Sequence, residues 1–181
     1  MRRIQRFFLI FTIAASVASI PVTARAQCTA SGAGGTCNLA GSVSTTAGRV
    51  VRLQMTAGST SLTAPTPADF DAGFNATTGP TLTVSANAAW TLHIRSSTAF
   101  WGATNTSPGA PARTTKPAAD LRWSTASNGT FTALSASDIT LVAGSATASS
   151  ATTLYFRTFY NWTLDTPGNY SLSIVLTLTA P

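Results

Sequence analysis

The chain has 181 residues, and charged residues make up only 9% of it, against about 25% in an ordinary soluble domain. Its 11 Lys and Arg and 5 Asp and Glu give a formal net charge of +6. Four of the positive charges, Arg2, Arg3, Arg6 and Arg25, lie in the first 26 residues, and the remaining chain carries only about +2. So weak and dispersed a charge excludes nucleic-acid binding as the default function.

The first 26 residues carry the pattern of an export signal. Basic residues open the chain, an apolar run covers residues 7–22, and Ala24-Arg25-Ala26 is a small-x-small cleavage pattern. The apolar run is shorter than the roughly 20 residues that a membrane-spanning helix needs. The sequence therefore predicts a signal helix over 1–26 and a mature chain in the periplasm, on the outer surface or outside the cell. A leader retained as an anchor is the alternative, and only then do we expect contact with a membrane.

Two cysteines, Cys28 and Cys37, follow the cleavage pattern and are separated by small, flexible residues. Because exported proteins fold in an oxidising compartment, an even pair favours a disulfide. A zinc site would need more ligands, and a catalytic thiol would need a nearby base, whereas His93 is the only histidine. We predict a disulfide-closed segment over 27–48, followed by a single domain over 49–181.

The mature chain shows the alternation of apolar and polar residues that is typical of half-buried strands. The clearest predicted strands cover 51–55, 82–84, 90–95, 154–162 and 170–179. Weaker candidates cover 37–43, 59–63, 121–124, 131–134 and 139–142, and long loops are expected over 65–80 and 102–117. Eight to ten short strands separated by turns predict an all-β fold, an antiparallel β-sandwich or barrel. Trp90 alternates with Leu92 and Ile94, so we expect it in the core.

The C-terminal region combines an Asp-Thr-Pro-Gly-Asn turn over 165–169 with Tyr170 and a Thr-rich final strand. Together with residues 82–95, it resembles secreted bacterial immunoglobulin-like and pilin-like domains, nearest the spore-coat-U-like group. The resemblance implies an antiparallel immunoglobulin-like β-sandwich and an envelope or surface role, with polymerisation by strand exchange. The chain departs from a strand-exchanging pilin in its mature N-terminus, which is polar and Gly-rich.

Catalytic patterns are scarce in this composition. The chain has no Glu, and its acids are Asp69, Asp71, Asp120, Asp138 and Asp165. Their placement suggests no paired carboxylates for glycoside hydrolysis. His93 is expected on the solvent face of a strand, and no Gly-x-Ser-x-Gly elbow accompanies it. Asp69, Asp71 and Asn75 offer oxygen ligands in a loop, but we interpret them as turn-forming residues. We therefore expect no enzyme, no catalytic residues, no cofactor and no metal.

Aromatic residues near loops and strand ends are the candidate contacts for a ligand or partner, namely Trp101, Trp123 and Trp162. The leading hypothesis is an exported, non-enzymatic structural or interaction protein of the bacterial envelope or surface, such as a pilus-like or matrix subunit. It would have protein partners or self-assemble. A carbohydrate-binding module that uses the loop aromatics is the second hypothesis, with a glycan as ligand. An accessory subunit of a membrane complex, anchored by a retained leader, is the third.

Overall fold

The computed structural model describes residues 29, 32–34, 36–37, 42–106 and 111–181. The predicted signal helix, its cleavage pattern and Cys28 lie outside these residues, so the disulfide to Cys37 stays a prediction. The chain divides after Thr46, and every described strand belongs to the unit from Ala47 to Pro181. Within the described ranges, no helix is both long and apolar enough to cross a membrane.

Ten strands and two short helical segments are described. The strands are β1 (Val51–Met55), β2 (Phe74–Ala86), β3 (Trp90–Ser96), β4 (Gly102–Asn105), β5 (Leu121–Ser124), β6 (Thr132–Ala133), β7 (Ile139–Gly144), β8 (Thr147–Phe159), β9 (Gly168–Ser171) and β10 (Ile174–Thr179). The helix α1 covers Pro67–Ala72, and a 3-10 helix covers Ala118–Asp120.

The strands form antiparallel sheets, which confirms the predicted all-β sandwich. A five-stranded sheet has the order β1-β2-β8-β5-β6, and a three-stranded sheet has the order β10-β3-β7. β4 and β9 form a separate two-stranded ribbon. The order leaves β1 at one edge of the larger sheet and β10 at one edge of the smaller sheet.

Alternation in the sequence decides which side chains enter the core. On β3, Trp90, Leu92 and Ile94 are buried, as predicted, and the residues between them are only partly covered. Leu82 on β2 and Leu154 on β8 supply the opposite layer of the core. Burying an aliphatic side chain of this size stabilises the fold by about 1.5–3 kcal/mol. The indole of Trp90 also donates a hydrogen bond from Nε1 to the carbonyl of Ser145 at 2.9 Å.

The outer face of the larger sheet carries a layer of arginines and rings. The guanidinium of Arg157 lies 4.7 Å from the ring centroid of Phe74 and 4.1 Å from that of Phe131. The guanidinium of Arg122 lies 4.3 Å from the ring centroid of Phe159. Arg122 and Arg157 are register partners, a pairing of like charges that would be unfavourable by itself. Contact with aromatic faces offsets the repulsion because each ring presents a negative face to a cation.

The loop predicted over 65–80 is wrong, because this segment holds α1 and the first half of β2. Thr66 caps the helix, Pro67 occupies its first turn, and Gly73 ends it with a left-handed φ of 79°. The beginning of β2 is rich in polar residues and therefore lacks apolar alternation. Pairing decides its structure instead, since Phe74 opposes Phe159 and β2 pairs with β8 along most of its length.

The loop over 102–117 and the single final strand also need correction. The first part of that loop is β4, which pairs with β9. The expected last strand is two strands, because the chain leaves the ribbon after Ser171 and joins β3 from Ile174 onward. Ser173 lies between them, and its carbonyl accepts a hydrogen bond from the backbone N–H of Ser97 at 2.9 Å.

The remaining predicted strands have mixed outcomes. The strands expected over 51–55, 90–95 and 121–124 are confirmed, and those over 82–84 and 139–142 are parts of β2 and β7. The strand expected over 131–134 is longer than β6, which covers only its two central residues. The strand expected over 154–162 begins earlier and ends at Phe159. No strand occurs over 59–63, nor in the described part of 37–43.

Candidate functional site

A cleft opens between the two sheets beside the edge strands β1 and β10. Its volume is about 630 Å³. The larger sheet contributes Leu154 and Phe156 to its wall, and β10 contributes Ile174 and Leu176. Residues 57–62 also line the cleft and do not form a strand. The cleft therefore gives access from the surface to the apolar layer between the sheets.

The edge strand β1 is incompletely covered. Val51, Leu53 and Met55 share one face of the strand, and Leu53 packs against the core. The other two stay open to solvent, with Val51 37% exposed and Met55 43% exposed. Met55 also lines the cleft. Apolar side chains on the core-facing side of a strand are normally buried. This edge therefore exposes an apolar surface against which another chain can pack.

A second pocket, of about 640 Å³, lies next to the cleft and is rich in aromatic side chains. The rings of Phe70 and Trp162 stack with centroids 4.6 Å apart. The indole Nε1 of Trp162 donates a hydrogen bond to the Asp71 carboxylate at 3.0 Å, which fixes the ring although it is 59% exposed. Tyr160 and Tyr170 also line this aromatic pocket.

The three tryptophans selected from the sequence occupy different environments. Trp162 is the exposed one. Trp101 is buried, donates from Nε1 to the carbonyl of Pro117 at 3.0 Å, and forms part of the wall of both cavities. Trp123 is buried on the inward face of β5 and lines neither cavity. Contact of these residues with a ligand stays a prediction. Of the three, only Trp162 is exposed enough for a ligand to reach without moving core side chains.

The acids near α1 support local structure. The Asp69 carboxylate accepts hydrogen bonds from the backbone N–H and the hydroxyl of Thr66, both at 2.7 Å. These bonds hold the pKa of Asp69 below its ordinary value, because they favour the charged form. Asp71 accepts the Trp162 bond. In the part of the chain that the structure describes, no group of three or more His, Cys, Asp or Glu side chains is arranged to hold a metal ion. His93 is half-buried on β3, opposite Thr177 of β10.

A cluster of four charged residues, which the sequence did not predict, lies beneath the aromatic pocket: Arg113, Lys116, Asp120 and Asp165. The Lys116 side chain is 1% exposed, and its Nζ lies 2.9 Å from Oδ1 of Asp165 and 3.3 Å from Oδ2 of Asp120. It also donates to the carbonyl of Phe159 at 2.7 Å. The two cations and two carboxylates balance in charge, which is the condition under which buried charges are tolerated.

Two tyrosines connect this charged cluster to the aromatic pocket. Nζ of Lys116 lies 4.9 Å from the ring centroid of Tyr160. Burial, with the negative charges of Asp165 and Asp69, raises the pKa of Tyr160. The hydroxyl of Tyr170 donates to the carbonyl of Thr166 at 2.6 Å and accepts from the backbone N–H of Arg113 at 3.0 Å. These bonds tie the 165–169 turn to the segment that carries Lys116.

No family model matches the chain, and no curated protein matches it either.

Proposed function

We propose that this protein is an exported, non-enzymatic structural or interaction protein of the bacterial envelope or surface, and that it binds an extended segment of a partner at the β1 edge. The observation that supports the proposal best is the exposure of Val51 and Met55 on the core-facing side of an edge strand. Among the described strands β1 pairs only with β2, and an unpaired strand edge offers a row of backbone donors and acceptors to another strand. Here the edge is flanked by the apolar cleft.

The chemistry of the cleft defines the partner. Added strands gain affinity from main-chain hydrogen bonds and specificity from pockets that take alternate side chains. Ile174 and Leu176 on one wall and Leu154 and Phe156 on the other would receive apolar side chains spaced two residues apart. The partner is therefore an extended segment with apolar residues at alternate positions, from a second copy of the chain or from another envelope protein.

Substitution of the exposed edge tests this function. We expect Val51→Lys with Met55→Lys to lower self-association, or crosslinking to an envelope protein, by at least about tenfold, because an ammonium would be brought against the apolar cleft. Size-exclusion chromatography with light scattering over a concentration series measures self-association. Crosslinking in the exported fraction of bacteria that produce the full chain measures partner capture.

The matched control is Leu164→Lys, which alters an exposed leucine outside β1. It should leave association unchanged. A wild-type chain that stays monomeric at every concentration and captures no envelope partner would contradict the proposal. So would an equal loss of association in the control.

The aromatic pocket supports a second candidate function, carbohydrate binding. Trp162 is exposed, is held by Phe70 and Asp71, and faces a cavity that also holds polar groups from Asp165 and Asn169. A fixed aromatic face with a few polar groups suits a sugar ring. We expect Trp162→Ala to abolish binding to soluble oligosaccharides on a glycan array, whereas Phe100→Ala, an exposed ring outside both cavities, keeps it. A wild-type array without hits would dismiss this candidate.

A further inference from the structure

Lys116 and Asp165 form the most deeply buried ion pair among the described residues. Their side chains are 1% and 4% exposed, and Nζ lies 2.9 Å from Oδ1. We propose that these two side chains condense into an intramolecular amide, an isopeptide bond between Nζ of Lys116 and Cγ of Asp165. The inference is independent of the proposed function, because it concerns the covalent structure of the domain itself.

The two side chains are enclosed together and have little contact with water. Charges withdrawn from water lose hydration that a single partner replaces only in part. The reaction requires the transfer of one proton from Nζ to the carboxylate, which turns the ion pair into an amine and a carboxylic acid. Trp101 and Tyr160 line the cavity above Lys116, and the ring of Tyr160 contacts its Nζ. An amine in this state has a free electron pair and can act as a nucleophile.

The neighbouring charged residues supply the other parts of the reaction. Oδ2 of Asp120 lies 3.3 Å from Nζ of Lys116, so its carboxylate can accept the proton that the attacking nitrogen loses. Nη1 of Arg113 lies 3.1 Å from Oδ1 of Asp165. Negative charge develops on a carboxyl oxygen when the carbon is attacked, and the guanidinium is placed to stabilise it.

The step balances without any other reactant. The Nζ electron pair attacks Cγ of protonated Asp165, and a C–N bond forms. Asp120 takes a proton from the nitrogen and returns it to the departing hydroxyl, so the C–O bond breaks and one water molecule leaves. Nothing is oxidised or reduced. The charges of Lys116 and Asp165 disappear together, and Arg113 and Asp120 remain as a neutral pair at 3.4 Å.

The fold holds the reacting groups in place before reaction. The carbonyl of Lys116 accepts from the backbone N–H of Trp101 at 2.9 Å, and Oδ2 of Asp165 accepts from the backbone N–H of Asn161 at 2.8 Å. Such positioning replaces an encounter in solution with a step between fixed neighbours, which accounts for large rate gains in intramolecular reactions. The bond would join positions 49 residues apart in sequence and close the loop between them.

The experiment measures the intact mass of the exported full chain after denaturation and reduction, with its N-terminus determined by sequencing. We expect a mass lower than that of the linear sequence by one water molecule. A proteolytic digest should contain a branched peptide that joins the segment around Lys116 to the segment around Asp165. Lys116→Arg, which keeps the positive charge but lacks the amine, should have the full linear mass.

Asp120→Asn tests the proton acceptor, and we expect it to slow bond formation by about a hundredfold or more, the usual contribution of a general base. Asp138→Asn is its matched control, because that carboxylate pairs with Arg95 at the surface, and it should form the bond as the wild type does. A folded wild-type chain with the full linear mass would overturn the proposal, even where the variants fail to fold. Loss of water mapped to any other residue would overturn it as well.

Discussion

Two kinds of ion pair in this molecule differ in their access to water. Asp165 is almost fully buried and binds Lys116 and Arg113. Asp138 pairs with Arg95 at 3.4 Å, and both side chains are substantially exposed. A buried charge that loses its partner cannot recover its hydration, whereas an exposed charge can.

We therefore expect Asp165→Ala to lower the free energy of unfolding by about 3–5 kcal/mol, because it removes the buried group that holds Lys116, whether as an ion or as the proposed amide. Only Asp120, a partly exposed carboxylate at 3.3 Å, would then remain beside the buried amine. Asp138→Ala should cost about 0–1 kcal/mol. Urea denaturation followed by tryptophan fluorescence measures both values. Equal effects of the two substitutions would show that the buried cluster does not stabilise the fold more than a surface pair.

Single residues also mark the limit of prediction from the sequence. Trp90, Leu92 and Ile94 are predictable as core residues because alternation on one strand is a local signal. The contact of Lys116 with Asp165 is not, because 49 residues separate them and only the folded chain brings them together. A lysine in a Pro-rich segment is normally exposed to solvent, and nothing in its neighbourhood indicates burial.

At the scale of single elements, α1 is a short helix whose beginning depends on Asp69. The carboxylate binds the backbone N–H of Thr66, and the hydroxyl of Thr66 in turn accepts from the backbone N–H of Asp69. This reciprocal capping box needs a charged or polar side chain at Asp69. The lowered pKa of Asp69 means that the folded state favours the charged form.

The sign of the pH effect follows from that direction. A carboxylate whose pKa is lowered in the folded state stabilises the fold at pH values above its pKa in the unfolded chain. This contribution is lost as the pH falls through the pKa of the folded state. We expect Asp69→Asn to be less stable than the wild type at neutral pH. The difference in the free energy of unfolding between Asp69→Asn and the wild type should narrow as the pH falls below about 3.8, the ordinary pKa of an aspartate. Urea denaturation at a series of pH values checks this, and a difference independent of pH would contradict it.

The strands show which local signals suffice. β3 and β5 carry buried apolar residues and were predictable. The first half of β2 and all of β4 were not, because their residues are small or hydroxyl-bearing and only their pairing with β8 and β9 makes them strands. The division of the last strand into β9 and β10 is likewise decided by partners far away in the sequence.

At the scale of the whole molecule, the cleft is a product of topology. Its walls come from β8 and β10, which belong to different sheets, and its exposed edge comes from β1. The sandwich class follows from composition and alternation, but the place where its sheets stay open does not. Because the edge and the cleft walls are apolar, association through them should depend little on ionic strength, unlike association through exposed charges.

The layer of arginines and rings on the outer face of the larger sheet affects the order in which strands separate during local unfolding. β8 is the central strand of that sheet, with core residues on one side and the side chains of Phe74, Phe131 and Arg157 packed on the other. The second half of β8 is thus covered on both faces, whereas Ala148, Ser149 and Ala151 in its first half are exposed. Strand segments covered in this way are the last to open when a protein fluctuates locally, so we expect the second half of β8 to exchange its amide hydrogens more slowly than the edge strand β1.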